Sequence, residues 1–130
     1  MAAIDVATGT MYCVTSLGKS DDAPDESMTQ QQCIERCNGF RLLGFDDWAL
    51  GTRNEAAWII DDDTRRAPAV DPDLFPGIKP DWHWTSSALM NRDGTASASV
   101  AWCVYFYYGS VSYYHRDDDG FALAVRRSGQ

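Results

Sequence analysis

Three features of the 130-residue chain predict an α+β domain. Two capping-box patterns, each followed by a short apolar cluster, mark two helices in the first half. The last third alternates apolar and polar positions and is rich in aromatic and β-branched residues, as strands are. A proline-rich stretch separates the two parts. Helices and strands are thus segregated, which argues for an antiparallel group and against βαβ units. The length is near the commonest for one domain, and it can bury roughly two-thirds of the surface the unfolded chain exposes. A single domain over residues 1–130 is expected.

Each element follows in order. Residues 4–17, "IDVATGTMYCVTSL", read as one strand or two short ones. "GKSDDAPDE" is a polar loop. Ser27 and Gln30 form an S-x-x-Q box ahead of a helix with Cys33, Ile34 and Cys37 at core spacing. Gly39 is expected to stop that helix in a left-handed conformation. "GFDDWAL" turns into a short extended piece. Thr52 and Glu55 form a second box, T-x-x-E, and Ala56, Ala57, Trp58, Ile59 and Ile60 follow as a short, mostly buried helix. Residues 61–81 are a long loop with four prolines, a kind that is usually functional or family-specific. "WHWTSSAL" reads as a strand with Trp82 and Trp84 on one face, and "NRDGTASAS" as a turn and loop. "VAWCVYFYY", "GSVSYYH" and "GFALAVRR" read as three strands, with Gly109 and Gly120 at their connections.

Charge and composition narrow the partners. A net charge of −8 would repel nucleic acid and anionic membrane. No apolar run approaches the ~18 residues of a membrane span. The first residues lack the charged and apolar regions of a secretory signal. The domain is therefore expected to be cytosolic until released, or excised from a longer chain. Cys33 and Cys37 have the look of a metal or redox pair, but no second Cys/His pair completes a zinc site. Small soft side chains filling a helix's buried face are the preferred reading. His83 and His115 form no ligand motif. Asp61–Asp63 and Asp117–Asp119 could draw calcium by charge alone. A calcium site needs roughly six to eight converging oxygens, so solvated loops are preferred. No metal and no cofactor are expected.

The segment from Ala101 to Arg127 contains five of the six tyrosines. Alternation puts Trp102, Val104 and Phe106 on one face, and Val111, Phe121, Leu123 and Val125 continue an apolar scaffold. Between those anchors stand Tyr105, Tyr107, Tyr108, Ser110, Ser112, Tyr113, Tyr114, His115, Asp117, Asp118 and Asp119. All are Tyr, Ser, His or Asp, the palette of a paratope: Tyr supplies rigid amphipathic area and Ser adaptable hydrogen bonding. A solvated β face would account for the tyrosines alone. Each of the four residue types is also one adenine change from an AAC-type asparagine codon. Error-prone copying of adenines would produce this set, and codons here not ending in C or T would rule it out.

The strings "GFDDWALGTRNEAAWI", "DPDLFPG", "WHWTSSA", "AWCVYFYYG" and the closing "VRR" resemble the bacterial domain at the end of Legionella collagen-like proteins. That family's pattern runs roughly G-[YF]-x-D-W-R-L-P-T-x-x-E-L, D-x-x-x-F, W-[ST]-S-[ST], A-W-x-V-x-F-x-x-G and V-R-x-V-R, and the likeness spans about residues 28–127. Ala49 and Gly51 depart from W-R-L-P-T, and Ala124 stands where many members carry Cys or another residue. The resemblance implies a C-type lectin-like fold, with two short helices on a small antiparallel sheet and long loops. It further implies kinship with the variable proteins of diversity-generating retroelements, whose C-terminal segment is diversified at adenines to bind changing targets. Residues 101–127 resemble such a segment. The E-P-N, Q-P-D and W-N-D triplets are absent, so calcium-dependent sugar binding is not implied.

Three functions compete. The first is a display module that binds a protein or cell-surface ligand through Tyr105–Asp119, over a core of Trp82, Trp84, Trp102, Phe106, Val111, Phe121, Leu123 and Val125. The second is an enzyme, since the fold resembles formylglycine-generating enzymes with their reactive cysteine pair. The chain is too short for that family, no second cysteine lies near Cys103 in sequence and no motif places a base, so no enzyme is expected. The third is an adhesive surface domain with one fixed partner. No long apolar stripe is left unassigned, so a monomer is expected, displayed on a prokaryotic cell surface or a virus particle.

Overall fold

Two four-stranded sheets carry the fold, in the strand orders β1-β2-β8-β3 and β6-β5-β4-β7. The computed structural model describes residues 2–127 apart from 6, 62 and 64–66. The elements are β1 (Ala2–Ile4), β2 (Met11–Cys13), α1 (Gln30–Asn38), β3 (Ala49–Leu50), α2 (Arg53–Trp58), β4 (Trp82–Met90), β5 (Ala96–Tyr105), β6 (Ser110–His115), β7 (Phe121–Ala122) and β8 (Ala124–Arg126). The α+β class stands. The single small antiparallel sheet expected does not: there are two sheets, and β7 runs parallel to β4.

Local signals succeeded where nothing distant competed. The Thr52–Glu55 box caps α2 as expected, with Thr52 Oγ1 accepting from Glu55 N and Glu55 Oε1 accepting from Thr52 N at 2.8 Å. The Ser27 cap is displaced to Thr29, with Gln32 completing the box. Met28 and Gly120 bond backbone to backbone in both directions at 2.7 Å, so the chain is extended there and cannot turn helical before Thr29. Gly39 ends α1 with φ −89°, right-handed rather than left-handed. In α2 only Ala56 is buried, Ile59 following it at the cap. Trp58 is half-exposed and lies flat on Tyr12 at 5.4 Å.

The string "GFALAVRR" is two strands and not one. β7 joins the second sheet and β8 the first, and the chain crosses at Leu123. Ala122 and Ala124 face a core cluster with all four cysteines, Trp48 and Trp84, whereas Leu123 and Val125 face a second cluster with Tyr12, Phe75 and Phe106. The alternation was read rightly, but both faces are buried. Each of these large apolar side chains contributes roughly 1.5–3 kcal/mol by leaving water. The proline-rich loop packs as well: Val70, Phe75 and Ile78 are buried in the second cluster.

The preceding strands also differ in detail. β5 starts at Ala96, inside the stretch expected to be loop, and ends at Tyr105. Phe106–Gly109 is a turn closed by Gly109 N donating to Tyr105 O at 2.9 Å. Gly109 has φ 74°, and a Cβ there would meet Ile60 Cγ2 at 3.0 Å, so glycine is required on two counts.

Candidate ligand-binding site

The β4–β5–β6 register decides which side chains meet. Directly opposed residues in antiparallel strands share a face. One face takes Trp82 with Tyr105, Trp84 with Cys103, and Ser110, Ser112 and Tyr114 opposite Tyr105, Cys103 and Ala101. The other takes His83 with Val104, and Val111, Tyr113 and His115 opposite Val104, Trp102 and Val100. Tyr113 and Tyr114 are neighbours in sequence but point to opposite sides of the sheet.

On the first face the rings form one contiguous cluster. Trp82 stacks on Tyr105 at 4.2 Å and meets Tyr114 edge-on at 4.7 Å. Tyr105 continues to Tyr107 at 5.9 Å and Tyr108 at 5.6 Å, and the last two meet at 4.8 Å. The Tyr105 hydroxyl is pushed above its usual value by desolvation first and the Asp81 carboxylate second. Tyr113 is apart from this group, edge-on to Trp102 at 5.4 Å, and Arg53 lies over the Trp102 ring at 4.5 Å. Asp117, Asp118 and Asp119 are exposed in the turn after β6.

None of the eleven palette positions is buried, while Cys103, Val104, Phe106 and the whole run Gly120–Val125 are. Three residues assigned to the core are not buried. Val111 is exposed because β6 is an edge strand with nothing packed over that position, and Trp102 is only partly covered. Trp82, also assigned to the core, belongs to the aromatic cluster. Its place on one face with Trp84 was legible, but its partner Tyr105 needed the strand register.

Trp82, Trp84, Cys103, Tyr114, Asp118 and Asp119 line a pocket of about 250 Å³. Trp84 Nε1 donates to the backbone oxygen of Asp118 at 2.9 Å, which fixes the aspartate turn against the wall. Burial first, and Asp118 second, push the Cys103 thiol up to about 12, so it stays protonated at neutral pH. It is not an activated nucleophile. Cys33 and Cys37 are fully buried on α1 and, like Cys13 and Cys103, are free thiols; burial raises both. Among the described residues no group of three or more His, Cys, Asp or Glu is placed to hold a metal ion, and Asp62 of the Asp61–Asp63 run lies outside them.

One polar pair had no motif to announce it. Ser16 Oγ and His83 Nε2 are 2.6 Å apart, and His83 Nδ1 is 2.9 Å from Asp81 O. A carbonyl can only accept, so Nδ1 carries the proton and Nε2 accepts from the Ser16 hydroxyl. Ser16 Oγ accepts in turn from Lys79 N at 2.9 Å. Both side chains are buried and fully bonded, a tie between the β2 extension and β4. Burial lowers the His83 imidazole to about 4.

The model of the Lcl C-terminal domain matches residues 2–126. The chain belongs to this family. The match takes in β1 and β2, which the motif strings starting near residue 28 did not reach. No curated protein matches the chain. The family strings have physical roles here. Arg126 Nε donates to Asp47 Oδ1 at 2.6 Å, and Arg127 donates to both Glu55 oxygens at 2.9 and 2.6 Å. The closing V-R-R thus clamps the D-W and T-x-x-E strings together. Burial alone would raise the Glu55 carboxyl, but the Arg127 bonds and the Thr52 cap outweigh it and hold it low. Thr85 of the W-T-S-S string donates to Trp102 O at 2.7 Å, locking β4 to β5. Among the described residues no helix is long and apolar enough to cross a membrane.

Proposed function

We propose that this member of the Lcl C-terminal domain family is a ligand-binding display domain of C-type lectin-like fold. Its Tyr105–Asp119 surface is varied by adenine-directed mutagenesis and binds changing protein targets. One observation carries the reading: within a single stretch of chain, the eleven Tyr, Ser, His and Asp positions are all at least partly exposed, while Phe106 among them and the run Gly120–Val125 after them are buried. A surface selected only for solubility has no reason to be limited to four residue types so cleanly. Tyr105, Tyr107, Tyr108 and Tyr114, linked to Trp82 through Tyr105 and Tyr114, supply the aromatic hot spots of such a site. The clamps at Arg126 and Arg127 and the buried run Gly120–Val125 supply a frame indifferent to what the surface carries.

Sequencing the gene from many members of its source population tests this. The expected result is variation confined to the eleven positions, in codons ending in C or T, with Cys103, Val104, Phe106 and Phe121 constant. Variation spread evenly, or absent, overturns diversification and leaves an adhesive domain with one fixed partner.

A further inference from the structure

We infer that the pocket between Trp82, Trp84, Tyr114, Asp118 and Asp119 is a socket for a basic side chain of the protein target, arginine before lysine. The inference rests on reading Tyr105–Asp119 as a ligand-binding face, and it names the chemistry that face selects. The pocket's lining is three aromatic rings, one neutral thiol and two carboxylates. Aromatic faces attract cations through their quadrupole, and more strongly when water is excluded. A guanidinium can lie flat on a ring while its edge pairs with a carboxylate, which an ammonium does less well.

Among the described residues nothing already fills this role. The described ion pairs and hydrogen bonds leave the Asp118 and Asp119 carboxylates without a partner. Arg116, two residues away in sequence, is turned off the site: its Nη2 donates to Ser97 O at 2.6 Å and its Nε to Val100 O at 3.4 Å. The opposite face of the same sheet gives an internal comparison. There Trp102 lines a hollow of about 340 Å³ and is already covered by the Arg53 guanidinium at 4.5 Å. Phe45 has Arg126 over it at 3.8 Å, and Phe121 has Lys79 at 5.3 Å. Among the described residues no cation lies over Trp82, Trp84 or Tyr114. Trp102 and Phe45 thus carry cations of the protein's own, whereas the rings of this acidic pocket, like Trp58, Tyr107, Tyr108 and Tyr113, carry none among the described residues.

The socket is half scaffold and half palette. Trp82, Trp84 and Cys103 stand on the paired strands β4 and β5, and the Trp84–Asp118 bond holds the turn in place. Tyr114, Asp118 and Asp119 belong to the eleven. Copies that keep an acid at 118 or 119 would retain the preference for basic residues, and copies with Ser or Tyr there would lose it.

The test is titration of the whole chain with the capped tripeptide acetyl-Gly-Arg-Gly-amide and with its citrulline counterpart, which keeps the shape and loses the charge. The readouts are the indole N–H signals of Trp82 and Trp84. Arginine is expected to shift them saturably at millimolar concentration, lysine several-fold more weakly, and citrulline not at all. The double variant Asp118→Asn, Asp119→Asn should weaken arginine binding at least about tenfold while its melting temperature stays unchanged. Equal response to arginine and citrulline, no response to either, or an unaffected double variant overturns the socket. Confined codon variation combined with any of these outcomes retires the socket and leaves the display reading intact. Arginine binding without codon variation does the reverse.

Discussion

β6 and the β7–β8 run follow each other in the chain and behave as opposites. β6 is the outer strand of its sheet, paired only with β5, and most of its side chains are exposed. β7 lies against β4, β8 lies between β2 and β3, and Phe121–Val125 are buried throughout. Composition tracks the contrast, since β6 is mostly Ser, Tyr and His and residues 121–125 are wholly apolar. Position in the sheet order gives it a physical cause. An edge strand needs only its backbone to hold register, so its side chains are free to change. A strand shared between two clusters has every side chain committed. The same boundary, near Gly120, separates the proposed variable surface from its frame.

The largest effect should come from attacking the committed half. Leu123→Ala removes a side chain with 1 % exposure from the second cluster and should cost about 4 kcal/mol. Thermal unfolding should show a drop on the order of 10 °C. A loss below about 1 kcal/mol would mean the crossing at Leu123 can collapse, and the contrast with β6 would fail. Acid should come next. Burial holds His83 at about 4, below its ordinary 6.5, so the unfolded chain binds the extra proton between those values. Stability should therefore be full above pH 6.5 and fall as the pH drops to about 4, by about 3 kcal/mol. Imidazole proton shifts would follow it directly: His83, under the frame, should stay neutral until near pH 4. Titration of His83 near pH 6.5 would remove the buried Ser16–His83 tie from the account.

Smaller effects sharpen the line. Arg127→Ala takes two hydrogen bonds from Glu55, which also caps α2, and should cost about 1 kcal/mol in urea unfolding. The double change Tyr113→Ser, Tyr114→Ser should move stability by less than about 0.5 kcal/mol, as surface changes do. The two single changes should then part in binding assays: Tyr114→Ser, which opens the pocket wall, should weaken arginine-peptide binding, and Tyr113→Ser, on the other face, should not. Equal loss from both would mean the two faces act together.

The parts of this molecule that were legible in its sequence are those settled locally. The Thr52–Glu55 box needs four consecutive residues and nothing else, and it formed. Apolar alternation needs only neighbouring residues, and two of the core positions it marked on β5 and in the turn after it, Val104 and Phe106, are buried. Errors came where a distant strand intervened. Met28 was claimed by Gly120, which moved the α1 cap to Thr29. Val111 looked like a core position but lies on an edge. Trp82 looked like core and is only partly buried, packed against the first cluster and stacked on Tyr105, which pairing no local pattern encodes sets opposite it. The Ser16–His83 tie spans 67 residues and had no signature at all.

The place of β8 in the first sheet has one more consequence. Among the described residues it is the one strand joining β3 to β2, and it lies after the whole tyrosine segment. During synthesis the first sheet cannot close until the ribosome has read through every position of the tyrosine segment. A chain cut short by a stop or a frameshift anywhere in that segment leaves β2 and β3 without their partner and is open to proteolysis. The order of strands thus acts as a proofreader: only a chain whose tyrosine segment was translated in full and in frame can complete the first sheet.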